Sequence, residues 1–220
     1  KYSIPKWIID SWTADYGNEK TKEMLEAFST PARITIRTNP KKCTPEELQK
    51  RLEQEGVKAE RIEQIPYAFV ISEFDHLTGL SSFQDGWFYV QDISSMSVAQ
   101  AADPKKDDYI IDVCAAPGGK SSHLAELLGE SGMVEARDLT EYKVGLIEEN
   151  IQRHDLKNMK AVQQDATILD EASVKKADIL ICDLPCSGLG VIGRKSDIRY
   201  KMTAEKAHDL ALLQQQMLDT

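Results

Sequence analysis

The 220-residue chain is 41% hydrophobic with a formal net charge of −9 and a sequence pI near 5.0, apolar enough for one full core and a smaller second unit. That acidic balance excludes a nucleic-acid binder working through global charge, so only local basic patches can serve such a role. Cys43, Cys114, Cys182 and Cys186 form no CxxC pair and no Cys/His cluster at zinc-ligand spacing, so neither disulfides nor a structural metal are expected.

No run approaches the roughly eighteen apolar residues of a membrane span, no charged-then-apolar leader opens the chain, and it reads as cytoplasmic. It begins at Lys1 rather than Met and ends at Thr220 on an uncapped amphipathic helix, so both ends read as cut.

From Pro5 to Phe28, Trp7, Ile8, Ile9, Trp12, Tyr16, Met24, Leu25 and Phe28 recur at spacings near three and four, which predicts short amphipathic helices. Arg33 to Thr38 alternates strictly and stops at Asn39-Pro40, a half-buried strand followed by a turn. Thr44-Pro45-Glu46-Glu47 supplies an N-cap, a first-turn proline and acidic residues, predicting a helix to about Glu55 that ends at Gly56. Aromatic and β-branched runs at Tyr67 to Phe74 and Trp87 to Val90 complete a small α/β unit from about 30 to 90. Beyond Tyr109 short apolar runs alternate with helical stretches, the pattern of a parallel sheet with crossover helices. Strands are predicted at Tyr109 to Val113, Met133 to Arg137, Lys160 to Gln164 and Asp178 to Asp183. Helices are predicted at Ser121 to Leu128, Tyr142 to Arg153 and Ala204 to Leu218.

Two segments carry chemistry. Cys114-Ala115-Ala116-Pro117-Gly118-Gly119-Lys120 joins the first of these strands to a helix, and such a two-glycine turn lets backbone amides approach a ligand. It is not a Walker A loop, because Cys114 stands where that motif needs glycine, and its adjacent glycines do not match G-x-G-x-x-G. Asp138 ends the next strand where a carboxylate can accept both hydroxyls of a ribose, and Asp165 ends the third, so both face the crevice at the carboxyl edge of the sheet. The second segment, Asp183-Leu184-Pro185-Cys186-Ser187-Gly188-Leu189-Gly190, delivers Asp183 to that edge and presents Cys186 at a glycine-flanked strand exit, as a nucleophile or acid-base group. Cys182, inside the apolar run, reads as an inert core residue, as does Cys43 near its turn. His76, His123, His154 and His208 share no spacing that suggests a joint role.

A-A-P-G-G-K together with D-x-P-C-S-G-x-G resembles the RNA cytosine-C5 methyltransferases of the Nop/Sun family. Gln91-Asp92-Ile93-Ser94-Ser95 is similar to that family's segment leading into the catalytic domain, and Pro5-Lys6-Trp7-Ile8-Ile9 and Arg37-Thr38-Asn39 look most like its bacterial small-subunit ribosomal (16S) branch. The resemblance implies an α/β chain: a helical lead-in over 1–30, a small RRM-like α/β domain over 31–92, and over 93–220 a Rossmann-like class I methyltransferase domain. A seven-stranded sheet is implied, of which four strands are visible, so the C-terminal strands are missing.

The resemblance also implies that Cys114, Ala115, Ala116, Pro117, Gly118, Gly119 and Lys120 wrap the methionine part of S-adenosyl-L-methionine. Asp138 then holds the ribose, Asp165 lies near the adenine, and Asp183 borders the cofactor and contacts the target cytosine. C5 of cytosine is a poor nucleophile until a thiolate adds to C6. Read from the residues alone, Cys186 is that thiolate. In the family a cysteine of a later Thr-Cys pair attacks instead, the Pro-Cys residue helps release product, and no Thr-Cys pair occurs in this sequence.

Arg33, Arg37, Lys41 and Lys42 form one basic run and Arg194 and Lys195, with Arg199 and Lys201, another, both candidates for RNA phosphates. The implied partner is 16S ribosomal RNA with an unpaired or flipped cytosine, bound by a monomer. Two other readings stay open: an amino-group methyltransferase, whose Asp-Pro-Pro-aromatic motif Asp183-Leu184-Pro185-Cys186 does not match, and a non-catalytic RNA-binding or assembly module that retains the fold.

Overall fold

A computed structural model describes residues 2–220; Lys1, where the sequence reads as cut, lies outside the described residues. In chain order the elements are α1 (Lys6–Ala27), β1 (Ile34–Thr38), α2 (Pro45–Gln54), β2 (Lys58–Ile62), β3 (Ile65–Ser72), α3 (Ser81–Gln84), β4 (Phe88–Val90) and α4 (Ile93–Ala102). They continue with β5 (Tyr109–Asp112), α5 (Gly119–Leu128), β6 (Met133–Asp138), α6 (Glu141–His154), β7 (Met159–Gln163), β8 (Ile179–Ile181), α7 (Ile198–Lys201) and α8 (Ala204–Leu218). Contacts group the chain into two units, Arg33–Asp183 and a second in which the segment up to Ala32 associates with Leu184–Asp219.

Within Arg33–Asp183 the first sheet is antiparallel, ordered β2-β3-β1-β4. Its helix α2 starts where Thr44 and Glu47 form a reciprocal capping box, Glu47 N–H donating to Thr44 Oγ1 at 3.2 Å and Thr44 N–H to Glu47 Oε2 at 2.8 Å, a cap worth about 1 kcal/mol. Leu48 and Leu52 of α2 pack on Ile36, Phe69 and Phe88 of the sheet. The expectation that β1 is half buried is corrected: Thr35, Ile36, Arg37 and Thr38 are all buried. The strand lies between β3 and β4, with α2 over the Ile36 face and Glu126 of α5 pairing with Arg37. Strand β2 escapes sequence reading because Lys-Ala-Glu-Arg-Ile carries charges along an edge, a common way of discouraging further pairing.

The second sheet is parallel, ordered β7-β6-β5-β8, and its four strands match the predicted four to within a residue or two at each end. Ile110, Val134 and Ala136 of the sheet share one core with Leu124, Ala125 and Leu128 of α5 and Ile147 of α6. The chain runs outward from β5 through β6 to β7, then returns to place β8 on β5's other side. Strand order therefore reverses at β5, the point where open α/β sheets bind ligands. Among the described residues β8 pairs only with β5, and Leu180 on it is 58% exposed.

In the other unit α1 is interrupted at Gly17, whose φ of 79° and ψ of 167° divide it into two helical pieces, in keeping with the expected short helices. Ile8, Trp12 and Leu25 of α1 pack with Ile192, and the Trp12 and Phe28 rings lie 5.7 Å apart. Among the described residues no helix is long and apolar enough to cross a membrane.

Candidate functional site

The turn after β5 is built from backbone bonds that leave it little freedom. Ala115 N–H donates to Arg137 O at 2.8 Å and Gly118 N–H to Ala115 O at 2.6 Å, while the Ala116–Pro117 peptide is cis. Gly118, at φ 102°, caps α5 in the left-handed region that favours glycine. Asn150 Nδ2 donates to Pro117 O at 2.8 Å, Gln91 Nε2 to Gly119 O at 3.2 Å, and Ser122 Oγ to Gly118 O at 2.7 Å.

Asp138, at the end of β6, is buried beside this turn. Its Oδ2 accepts the Ala116 N–H at 3.1 Å, its Oδ1 accepts the Leu139 N–H at 2.8 Å, and Lys143 Nζ stands 3.0 Å from Oδ1. The predicted ribose carboxylate and the predicted loop are thus directly bonded. Asp165 follows β7 and accepts the Thr167 N–H at 2.8 Å and the Thr167 hydroxyl at 2.7 Å. Those bonds hold its carboxyl below the usual range. Asp183 follows β8 and forms an ion pair with Lys120, so two further predicted residues meet.

Asp112 belongs with this group, although sequence reading missed it. Extending the first parallel strand to Val113 hid Asp112 inside it; the strand ends at Asp112, which makes it another strand-end carboxylate. Its Oδ2 accepts the Ser121 hydroxyl at 2.6 Å, its Oδ1 is buried without a hydrogen-bond partner, and burial pushes its pKa up to about 6. Lys143, Gln91 and Asn150 were also missed, since they act from outside both motifs and only the packing brings them to the turn.

The cysteines divide by environment. Burial, reinforced by the Asp138 and Asp112 carboxylates, pushes the Cys114 thiol up to about 11, and burial with the Glu47 charge pushes Cys43 up to about 12. Neither is a thiolate at neutral pH. The expectation that Cys182 is a core residue is corrected: it lies just beyond β8 and is exposed, because that strand is an edge only three residues long. In the other unit Cys186 is exposed, and Gln214 Nε2 of α8 donates to Pro185 O at 2.7 Å, fixing the turn that carries it.

One predicted RNA contact is overturned. Arg37 is 1% exposed, paired with Glu126 and stacked on Tyr89, its guanidinium carbon 4.1 Å from the ring centre, and so has no face to offer a phosphate. Arg33, Lys41 and Lys42 in the same unit, and Arg194 and Lys195 in the other, are exposed. Arg199 donates to Tyr2 O at 3.3 Å and Lys201 bridges Asp197 at 2.8 Å. Among the described residues no cluster of His, Cys, Asp or Glu is arranged to hold a metal ion.

Comparison with known proteins places the chain in a family. A family model described as 16S rRNA methyltransferase RsmB/F matches residues 99–220, and one described as the Methyltr_RsmF/B-like, ferredoxin-like domain matches residues 4–76. The probable ribosomal RNA small subunit methyltransferase B of Bacillus subtilis is 36% identical over 217 residues, covering 98% of this chain and 48% of that protein. The tRNA (cytosine(72)-C(5))-methyltransferase of Pyrococcus horikoshii is 45% identical over 115 residues, covering 52% of this chain and 29% of that protein. The crystal structure of a methyltransferase homolog protein from Pyrococcus horikoshii gives a TM-score of 0.80 at 26% identity, covering 99% of this chain and 68% of that one. The chain spans about half the length of the ribosomal relatives it matches. From the family match and the turn that accompanies it, the chain belongs to the RsmB/F family of 16S rRNA methyltransferases.

Proposed function

We propose that this chain forms the cofactor-binding core and the small-sheet portion of an S-adenosylmethionine-dependent enzyme that methylates C5 of a cytosine in small-subunit ribosomal RNA. The observation that carries the reading is the Asp138–Ala116 bond, which ties a buried strand-end carboxylate to the two-glycine turn at the point where strand order reverses. The residues present fit the cofactor. A Cβ built on Gly119 meets nothing within 4 Å, so open space lies against the turn.

In this reading Cys114 to Lys120 receive the methionine end and Asp138 takes the ribose hydroxyls, with Lys143 moving off Oδ1 as they arrive. Asp165, ionised by its Thr167 bonds, lies toward the base. S-adenosylmethionine, when bound, supplies an electrophilic methyl group on sulfur. Asp183, held by Lys120, accepts from the exocyclic amino group of an unpaired or flipped cytosine. A cysteine thiolate adds to C6, C5 takes the methyl group, and loss of the C5 proton with expulsion of the thiolate restores the ring. The attacking cysteine lies in the part of the longer protein that this chain does not include, and Cys186 assists the elimination. Arg33, Lys41, Lys42, Arg194 and Lys195 serve phosphates.

The relative named as a tRNA (cytosine(72)-C(5))-methyltransferase supports this class over amino-group transfer. The test is covalent trapping. The full-length protein, incubated with S-adenosylmethionine and small-subunit ribosomal RNA substituted with 5-fluorocytidine, is expected to form an adduct on a cysteine after Thr220. An adduct on Cys186 would make it the nucleophile. No adduct, with no methyl transfer, would leave a binding or assembly module that retains the fold.

A further inference from the structure

Gln91 follows β4 and is 6% exposed. Its backbone is pinned to β1 from both sides, the N–H donating to Thr35 O at 3.1 Å and the carbonyl accepting the Thr35 hydroxyl at 2.6 Å. Its side chain therefore leaves a fixed origin. The amide oxygen accepts Arg37 Nε at 2.7 Å and the amide nitrogen donates to Gly119 O at 3.2 Å. Chemistry sets that orientation: a guanidinium only donates and a carbonyl only accepts, so a flipped amide would face both partners with the wrong atom.

Arg37 is itself immobile. Its other end pairs with Glu126 of α5, and its plane rests on Tyr89, whose ring stacks on His154 of α6 with centres 3.5 Å apart. The guanidinium of the small sheet is thus held between Glu126 of α5 and the Tyr89 ring, and Gln91 passes that fixed reference to the second glycine of the turn.

We propose that Gln91 is a positioning residue for the cofactor turn. Its amide, oriented by Arg37, holds the Gly119 carbonyl so that the turn and the first residues of α5 stay in the shape that accepts the methionine end of the cofactor. This rests on the functional reading above. The small sheet thereby acts on the cofactor site through one side chain that touches neither cofactor nor RNA. Gly119 is the first residue of α5, and Gln91 is the side chain that reaches its carbonyl from the small sheet.

The experiment is calorimetric titration of S-adenosylmethionine into the full-length protein, comparing wild type with Gln91→Met and Gln91→Glu. Met keeps the volume and removes both side-chain bonds; Glu keeps an acceptor for Arg37 and removes the donor to Gly119. The expected result is a dissociation constant raised about tenfold in each variant that folds, with one site per molecule retained. In turnover, KM for the cofactor rises while KM for RNA and kcat hold. A role confined to stability would instead lower the melting midpoint and the fraction of molecules that bind, leaving the dissociation constant of the binding fraction at the wild-type value, and that result overturns the proposal. Should wild type itself bind no cofactor, the functional reading fails, and this inference with it.

Discussion

Arg37 of β1 and Glu126 of α5 form an ion pair in which the two side chains are 1% and 2% exposed, joining the antiparallel sheet to a helix of the parallel one. Two charges removed from water this completely stay favourable only while both are present, and removing one partner of such a pair typically costs about 3–5 kcal/mol.

Arg37→Leu is therefore expected to lower stability by roughly that amount, and the double variant with Glu126→Leu by clearly less than the sum of the two singles. Denaturant titration of the four proteins measures the coupling. Burial already raises the Glu126 pKa, with Arg37 opposing the shift. A group raised in the folded state favours folding at low pH and loses that contribution as pH rises. Arg37→Leu should accordingly be less destabilised at pH 5 than at pH 8.

Gly118 and Gly119 should respond to alanine in opposite ways. At Gly118 the φ of 102° makes any side chain strained, and Gly118→Ala is expected to lose roughly 1–3 kcal/mol. At Gly119 the helical backbone has open space, so Gly119→Ala should hold or gain about 0.4–1 kcal/mol. The same methyl group would occupy the cradle assigned to the cofactor, and its affinity should fall at least tenfold. Melting curves beside calorimetry separate the effects; unchanged affinity in Gly119→Ala would move the cofactor away from this turn.

Asp112 gives a signed pH dependence. Burial pushes its pKa up to about 6 against an ordinary 3.8, so the folded state holds a proton more tightly than the unfolded one. Its contribution is fully present below the unfolded pKa, is lost as pH rises through about 6, and the ionised form is disfavoured by roughly 3 kcal/mol. Asp112→Asn removes this penalty while keeping an acceptor for Ser121. Relative to wild type, the variant should gain stability between pH 4 and pH 7 in denaturant titrations, and a difference independent of pH would contradict the assignment.

Asp138→Ala is expected to abolish cofactor binding while leaving the domain folded. It deletes the acceptor for Ala116 and Leu139 N–H, at a cost of about 1–3 kcal/mol, and the acceptor for the ribose. Lys143→Met should tighten cofactor binding modestly, because Lys143 occupies the same oxygen. Calorimetry on both variants checks the pair; unchanged affinity in Asp138→Ala would sink the ribose assignment.

Strand and helix periods, the Thr44 capping box and the spacing of carboxylates behind each parallel strand are local features, so the α/β class, the four parallel strands and the turn that meets Asp138 and Asp183 were legible in the sequence. Local pattern also marked Arg37 as a basic residue in an alternating strand, where it read as a phosphate contact. Packing makes β1 a central strand with both faces covered, which converts that cation into half of a buried pair, and the shortness of edge strand β8 leaves Cys182 exposed. Gln91, Lys143 and Asn150 belong with the turn for a reason no window of sequence contains. Each reaches it from another element, and hydrogen bonding depends on which atoms packing brings within about 3 Å.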